Sequence, residues 1–305
     1  MKAQLIILGS GSALPTRDNF PTSQILEMRD KQYMIDCGEG TQIRMRQMGL
    51  KISRLGHIFI SHLHGDHCFG LIGLISSFGL LNRTADLYVH GPLGITALFE
   101  KQMNFFCDKL PFKVVFEEHD TKKSNVIYED RSVKVTTIPL LHRIACAGFL
   151  FEEKTGDRHI VREMIDFHQI PLSKINLIKR GADFVKEDGT VISNEVLTNP
   201  APAGVSYAYC SDTAYSEKII PIIQGVNLLY HEATFAEEEL QRAKATQHST
   251  ASQAATIALK AGVKQLIIGH FSARYRDKEL LLNEAAAVFP AVVLARDTQS
   301  YDFPG

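Results

Sequence analysis

Short apolar runs alternate with helix-length amphipathic stretches along most of the chain, so strands and helices are expected to alternate. Leu5-Ile6-Ile7-Leu8 is uninterrupted, which predicts a strand buried on both faces, and Gly9-Ser10-Gly11-Ser12 after it is a turn signal. Ser23 to Glu27 and Gln32 to Asp36 flank the charged turn Arg29-Asp30-Lys31 and predict paired strands. Thr41 to Gly49 predicts a short helix closed by its glycine. A strand is expected over His57 to Ile60, a buried helix over Gly70 to Leu81, a strand from Leu87, a helix over Ile95 to Phe106, and a strand over Val133 to Ile138.

Residues 151 to about 203 break this rhythm. They are charged, contain Pro171, Pro200 and Pro202, and lack long apolar runs. The pattern then resumes with strands at Ser206–Cys210, Asn227–Tyr230, Gln265–Ile268 and Ala291–Ala295, and helices at Ser249–Ala261 and Lys278–Phe289. The expectation is a layered α/β sandwich of two similar halves, about 1–150 and 204–305, with 151–203 as an inserted excursion.

Composition narrows the picture. A chain of 305 residues that is 45% hydrophobic can bury a large core. A net charge of −1 excludes a global basic field, so a polyanionic partner must be met by local patches or by bound cations. Five cysteines, an odd number with no Cys-x-x-Cys pair, fit reduced thiols in a cytoplasm better than a disulfide framework. No stretch approaches the length of a membrane helix, and the apolar N-terminal run is too short for a signal sequence.

The chemistry concentrates in Ser61-His62-Leu63-His64-Gly65-Asp66-His67, directly after Ile58-Phe59-Ile60. Neutral imidazoles and carboxylates are the ligands that borderline divalent metals such as Zn²⁺ prefer. One metal rarely draws four ligands from so short a loop, so two adjacent metals are expected, each completed from elsewhere. His142, Asp212 and His270 each follow a predicted strand, where α/β folds assemble sites from separate elements. Together these residues supply seven ligands, enough for two metals if Asp212 bridges. Such a pair is hydrolytic equipment, and phosphodiesters are its common target. The glycines at 9 and 11 do not make a dinucleotide fingerprint, because Leu14 holds the third glycine position and Pro15 follows.

The chain resembles the metallo-β-lactamase superfamily, and within it ribonuclease Z, the tRNA 3′-processing endonucleases. The resemblance rests on Leu8 to Thr16, Asp36 to Gln42, the 61–67 loop, Leu141-His142, Ser211-Asp212-Thr213, His231-Glu232-Ala233-Thr234-Phe235, Gln247 to Ala251, and Gly269 to Tyr275. It implies a four-layer αβ/βα sandwich carrying two Zn²⁺ per subunit, with other divalent metals open. One ion would be held by His62, His64, His142 and Asp212. The other would be held by Asp66, His67, His270 and the same Asp212.

The resemblance extends to mechanism and partners. Asp66 would double as a proton acceptor. His248 would protonate the leaving 3′-oxygen, charged or oriented by Glu232. Ser249 and Thr250 would offer groups to a phosphate at a helix start, or else simply cap that helix. Arg274 would fork onto a substrate phosphate, with a salt bridge to Asp277 or Glu279 as the alternative. Asp36 and Gly38 to Gln42 would shape the floor of the site. Residues 151–203 would form a protruding arm that grips precursor tRNA, with Lys174, Lys179 and Arg180 as a phosphate patch. The arm lacks an evident Gly-Pro-rich tip, and its acidic residues at least match its basic ones. A homodimer is implied by the family alone, and a cytoplasmic location is expected from the cysteines and the short apolar N-terminal run. Competing readings are a 3′-exoribonuclease or general phosphodiesterase on the same site, a lactam or thioester hydrolase, and an inactive binding module.

Overall fold

In the computed structural model, the strand Gln4–Gly9 shows why its sequence is apolar at every position. Leu5 and Ile7 enter one core cluster while Ile6 and Leu8 enter another. Both faces of the strand are therefore covered, as the unbroken run predicts. The structure describes residues 3–17, 19–107 and 109–304. Its contacts divide the chain into two units, 1–152 with 205–305, and 153–204.

The larger unit holds two seven-stranded sheets. The first runs in the order Ser300–Asp302, Gln4–Gly9, Ser23–Met28, Lys31–Cys37, Leu55–Phe59, Leu87–Pro92 and Val114–His119. The last four of these strands are parallel to one another. The second sheet runs Val292–Leu294, Gln265–Gly269, Leu228–Glu232, Ser206–Cys210, Ala147–Glu153, Val133–Pro139 and Val126–Glu129. Its first four strands are parallel, and Ala147–Glu153 runs antiparallel to Ser206–Cys210. The Arg29-Asp30 turn joins its strand pair with both residues at positive φ, 51° and 63°, as a tight two-residue hairpin requires.

Inner faces of the two sheets share one core, in which Ile35, Phe59, Phe149, Phe151, Tyr207 and Tyr209 are fully buried. The outer face of the first sheet packs against helices Gly70–Leu80 and Ile95–Phe106 through Leu71, Leu74, Phe78 and Phe99. Helices Ala251–Ala261 and Glu279–Val288 cover the second sheet through Ala254, Ile257 and Leu281. The result is a four-layer sandwich of helix, sheet, sheet and helix, as the resemblance implies. Each fully buried large apolar side chain contributes about 1.5–3 kcal/mol of transfer free energy, which keeps the strand ends rigid enough to carry a site.

One expectation needs correcting. The sheets do not divide near residue 150. The strands from 126 to 153 already belong to the second sheet, and Ser300–Asp302 returns to pair with Gln4–Ile6 in the first. Both are long-range pairings that local pattern does not encode.

The smaller unit contains helices Arg162–His168, Leu172–Lys179 and Asn194–Leu197 and two short strand pairs. Ile170, Ile178, Phe184 and Leu197 form its own core. Asn194 binds it internally by donating through Nδ2 to the carbonyls of Ile178 and Ala182. Among the described residues no helix is long and apolar enough to cross a membrane.

Candidate metal centre

The 61–67 loop leaves the end of the strand Leu55–Phe59, and His142, Asp212 and His270 follow the ends of Val133–Pro139, Ser206–Cys210 and Gln265–Gly269. The fold brings all seven residues together. His62, His64, His142 and Asp212 form one group whose ligand atoms lie within 4.8 Å of one another, and Asp66, His67 and His270 form a second. Asp212 faces both. Its Oδ2 lies 3.6 Å from Nε2 of His62 and of His142, while its Oδ1 lies 3.1 Å from His67 Nε2 and 3.0 Å from His270 Nε2.

Imidazole nitrogens also converge on one another. His64 Nδ1 is 3.0 Å from His62 Nε2 and 3.2 Å from His142 Nε2, and His67 Nε2 is 3.3 Å from His270 Nε2. A proton can satisfy one such contact, whereas a central cation accepts every lone pair. The electrostatics agree. Burial opposes ionisation of Asp212 and Asp66, but the surrounding imidazoles outweigh it and hold both carboxyls well below the usual range. Burial likewise disfavours the His67 imidazolium, yet Asp212, Asp36 and Asp66 outweigh it and raise the affinity of His67 for a proton. Burial keeps His62, His64 and His142 below the usual histidine range, in the neutral form that ligates. The residues present thus fit divalent metal with nitrogen and oxygen ligands.

The nitrogens facing away from the centre are supported. Asp36 is fully buried and accepts from His67 Nδ1 at 2.7 Å, Ser61 Oγ at 2.9 Å, Tyr209 Oη at 2.6 Å and the Ser61 N–H at 2.7 Å. Because the Ser61 hydroxyl gives its proton to Asp36, it accepts from His62 Nδ1 at 3.0 Å. The Thr234 hydroxyl donates to Glu232 at 2.6 Å and accepts from His270 Nδ1 at 3.0 Å. His142 Nδ1 meets the Gln247 carbonyl at 3.3 Å. Four rings therefore present Nε2 to the centre, whereas His64 presents Nδ1. Such outer partners fix ring tautomer and direction. Backbone strain gathers here as well, with Ala13, Asp36, Asp212, Gln247 and His270 all at φ between 55° and 60°. Each left-handed non-glycine residue costs about 1–3 kcal/mol and persists only where its surroundings over-determine it.

Residues 3–184 match the family model described as Anti-Pycsar protein Apyc1, a stretch that stops before Asp212, His248 and His270. Curated relatives match nearly end to end. Ribonuclease Z of Bacteroides thetaiotaomicron is 59% identical over 99% of both chains. That of Parabacteroides distasonis is 57% identical over 95% of this chain and 96% of its own. The chain belongs to the ribonuclease Z family. Over residues 3–184 it falls within the Apyc1 family too. Membership makes it a metal-dependent phosphodiester hydrolase. The fold of human tRNase Z, short form, superposes with a TM-score of 0.72 at 24% identity, covering 99% of this chain and 100% of the other. A metallo-β-lactamase fold protein of Bacillus subtilis superposes with a TM-score of 0.69 at 17% identity over 99% of this chain and all of its own.

The ribonuclease Z boxes at 231–235 and 247–251 meet beside these ligands. Glu232 is fully buried and accepts from His248 Nδ1 at 2.9 Å, the Thr213 N–H at 2.6 Å and the Ser249 N–H at 3.1 Å, besides Thr234. Burial disfavours the His248 imidazolium, but Glu232 outweighs it and raises the ring to about 9. A nitrogen of His248 also lies within 4.8 Å of ligand atoms of Asp212 and His270. Glu232 thus raises the affinity of the ring for a proton, and the ring is placed beside the centre.

Two expectations change. Ser249 and Thr250 are fully buried with occupied hydroxyls. Ser249 donates to the Thr213 carbonyl at 2.7 Å, while Thr250 donates to Glu237 and caps the helix Ala251–Ala261 in a reciprocal box with Gln253. Neither hydroxyl is available to a phosphate. Arg274 pairs with neither Asp277 nor Glu279 but with Glu239, at 2.8 Å, and lies 5.3 Å over the Phe235 ring. One prong of its fork, Nη1, is thereby engaged. In the smaller unit Lys174 and Arg180 are exposed and Lys179 is half-buried. Lys174 lines a cavity of about 630 Å³ with Phe167, His168 and Lys186, whereas Lys179 and Arg180 are not among its walls.

Sequence reasoning missed Ser61, Thr234 and Gln247 as supports and gave Asp36 too small a part. Ser61 and Thr234 adjoin the motifs, which is the signal that could have found them. It also missed a cleft of about 730 Å³ that starts at Phe271, next to His270, and is walled by Arg17, Asn19, Arg276, Lys278 and Arg296. Its basic residues, Arg17, Arg276, Lys278 and Arg296, come from three separate segments, and Asp297 lines the cleft with them. No basic run announces them.

Proposed function

We propose that this chain is an endoribonuclease that removes the 3′ trailer from precursor tRNA, using two divalent ions per subunit, with zinc the first candidate. One observation carries the reading: the two oxygens of Asp212 face two separate histidine groups, the arrangement of a bridging ligand. The human structural neighbour is named tRNase Z and the near full-length relatives Ribonuclease Z, which directs the diester chemistry to tRNA. His62, His64, His142 and Asp212 would hold one ion, and Asp66, His67, His270 and Asp212 the other. Bound there, the ions would lower the pKa of water and stabilise the charge that develops on the phosphoryl oxygens.

The chain's own residues do the rest. His248, kept charged by Glu232, donates its proton to the departing 3′-oxygen. Asp66, ionised and partly exposed, accepts a proton from the attacking water. Asp36, Ser61, Thr234 and the Gln247 carbonyl hold the ligand rings in the required tautomers. The cleft of Arg17, Arg276, Lys278 and Arg296 supplies local positive charge beside the centre, which a chain of net charge −1 lacks overall. The 153–204 unit acts as the tRNA arm and the enzyme works as a homodimer, both on family grounds, and its cysteines fit a cytoplasmic location.

Stripping the metal with a chelator should abolish cleavage of 3′-extended precursor tRNA, and added Zn²⁺ should restore it. Cleavage that survives verified metal removal would overturn the proposal.

A further inference from the structure

Among its described residues, the loop between Ser10 and Phe20 meets the metal centre at Ala13, and both its feet are held by one carboxylate from a distant part of the chain, that of Asp297. Asp297 Oδ1 accepts from the Ser10 N–H at 3.0 Å, Ser10 Oγ at 2.7 Å and Asn19 Nδ2 at 3.4 Å. Its Oδ2 accepts from the Phe20 N–H at 2.8 Å and lies 3.6 Å from the Arg44 guanidinium. Arg44 in turn sits 3.9 Å over the Phe20 ring. Only 7% of the Asp297 side chain is exposed. Charge-assisted bonds to a buried carboxylate are the strong kind, and here they come from both feet of one loop.

Between those feet the chain turns at Ala13, a non-glycine residue at φ 59°. Such a conformation holds only when neighbouring contacts impose it. The Ala13 N–H donates at 2.8 Å to Asp66 Oδ2, the same oxygen that lies 3.5 Å from His67 Nε2 and 3.6 Å from His270 Nε2. Phe271, next to His270, adds two backbone bonds to the near foot, at Ser10 and Ser12.

We propose that Asp297 is a positioning residue for the hydrolytic centre: it closes the 10–20 loop so that the Ala13 N–H fixes the Asp66 carboxylate between His67 and His270. The proposal rests on Asp66 serving the metal site. Asp297 makes no hydrogen bond to the seven ligand residues and acts on the centre through the loop. A residue that merely tied the C-terminal segment to the first sheet would affect folding and leave the folded enzyme's chemistry unchanged.

The test uses the full chain loaded with zinc, in wild-type, Asp297→Ala, Asp297→Asn and Asp212→Ala forms. It measures Tm, the chelator concentration that removes half the metal, and kcat and KM on a small aryl phosphodiester. Asp297→Ala should lose metal at about 10–100-fold lower chelator and lose kcat by a similar factor, as loss of an outer partner does elsewhere. KM should stay within about threefold of wild type, because the residue acts on the centre through the loop. Asp297→Asn keeps Oδ1 for Ser10 and Asn19 but turns an amide donor onto the Phe20 N–H and Arg44, so its kcat should lie between those of Asp297→Ala and wild type. Wild-type kcat and metal retention in folded Asp297→Ala would overturn the proposal, as would a loss that only tracks the unfolded fraction. If Asp297→Ala does not fold, Ser10→Ala, which removes one clamp bond, should lower kcat by about threefold or more, and an unchanged kcat would overturn it. Activity retained by Asp212→Ala would instead overturn the reading of the metal centre itself.

Discussion

Glu232→Gln offers a sharp test of the acid catalyst. The substitution keeps the size of the side chain and removes the charge that raises His248 to about 9. At pH 7.5 a ring with that value is more than about nine-tenths protonated, and one at the ordinary value is about one-tenth protonated. Burial continues to oppose the imidazolium in the variant, so the protonated fraction falls further. Turnover of precursor tRNA at pH 7.5 should therefore drop at least about tenfold, within the range that general acids contribute. Because an acid must be protonated, the limb of the rate profile that falls with rising pH should move from about 9 to below about 6.5. A nitrophenyl phosphodiester, whose leaving group departs without a proton, should lose much less. The amide must also face the Thr213 or Ser249 N–H with a donor of its own, at a cost of about 1–3 kcal/mol that appears as a lower Tm. Equal losses on RNA and on the nitrophenyl diester, or an alkaline limb that stays in place, would refute the assignment.

Other consequences follow from the same geometry. Asp212→Ala should release both metals, counted as metal per folded chain; retention of one would contradict the bridging role. Replacing 153–204 by a short turn is feasible because Glu152 and Ser206 are already paired across neighbouring strands. That variant should lose cleavage of precursor tRNA and keep hydrolysis of the small diester, and parallel loss of both would contradict the division of labour. Far from the centre, burial lowers His57 to about 4, His90 to about 3 and His119 to about 4. These rings are neutral when folded and gain protons in the unfolded chain below about 6.5, so the stability they carry is present above that pH and lost towards 4. His119→Phe should flatten the fall by about 1.4 kcal/mol per pH unit between pH 6.5 and 4, measured by denaturant unfolding, and an unchanged slope would contradict the assignment.

Much of this centre was legible in the sequence, for a physical reason. Four of its seven ligands lie in the 61–67 loop, whose spacing is local, and His142, Asp212 and His270 follow strands whose apolar runs are plain. The supports were less visible because their partners are distant. Asp36 meets Ser61 from 25 residues away and Tyr209 from 173. Asp297 meets Ser10 across 287. Arg274 was matched to acids close in sequence, yet its partner Glu239 lies 35 residues upstream. Thr250 shows the converse. Its capping box with Gln253 is local, and the capping alternative read from the sequence is the one the structure shows. The sheet boundary was misplaced because strand pairing is long-range, while burial gives Leu5-Ile6-Ile7-Leu8 of the first sheet and Leu266-Ile267-Ile268 of the second the same apolar appearance.

The most direct test of the central claim is to map the ends produced when the zinc-loaded protein meets a 3′-trailer-bearing precursor tRNA and an unstructured RNA. A single cut just after the discriminator base, with the unstructured RNA spared, is the predicted result. Stepwise trimming of both RNAs from their 3′ ends would contradict it and make the enzyme a 3′-exonuclease.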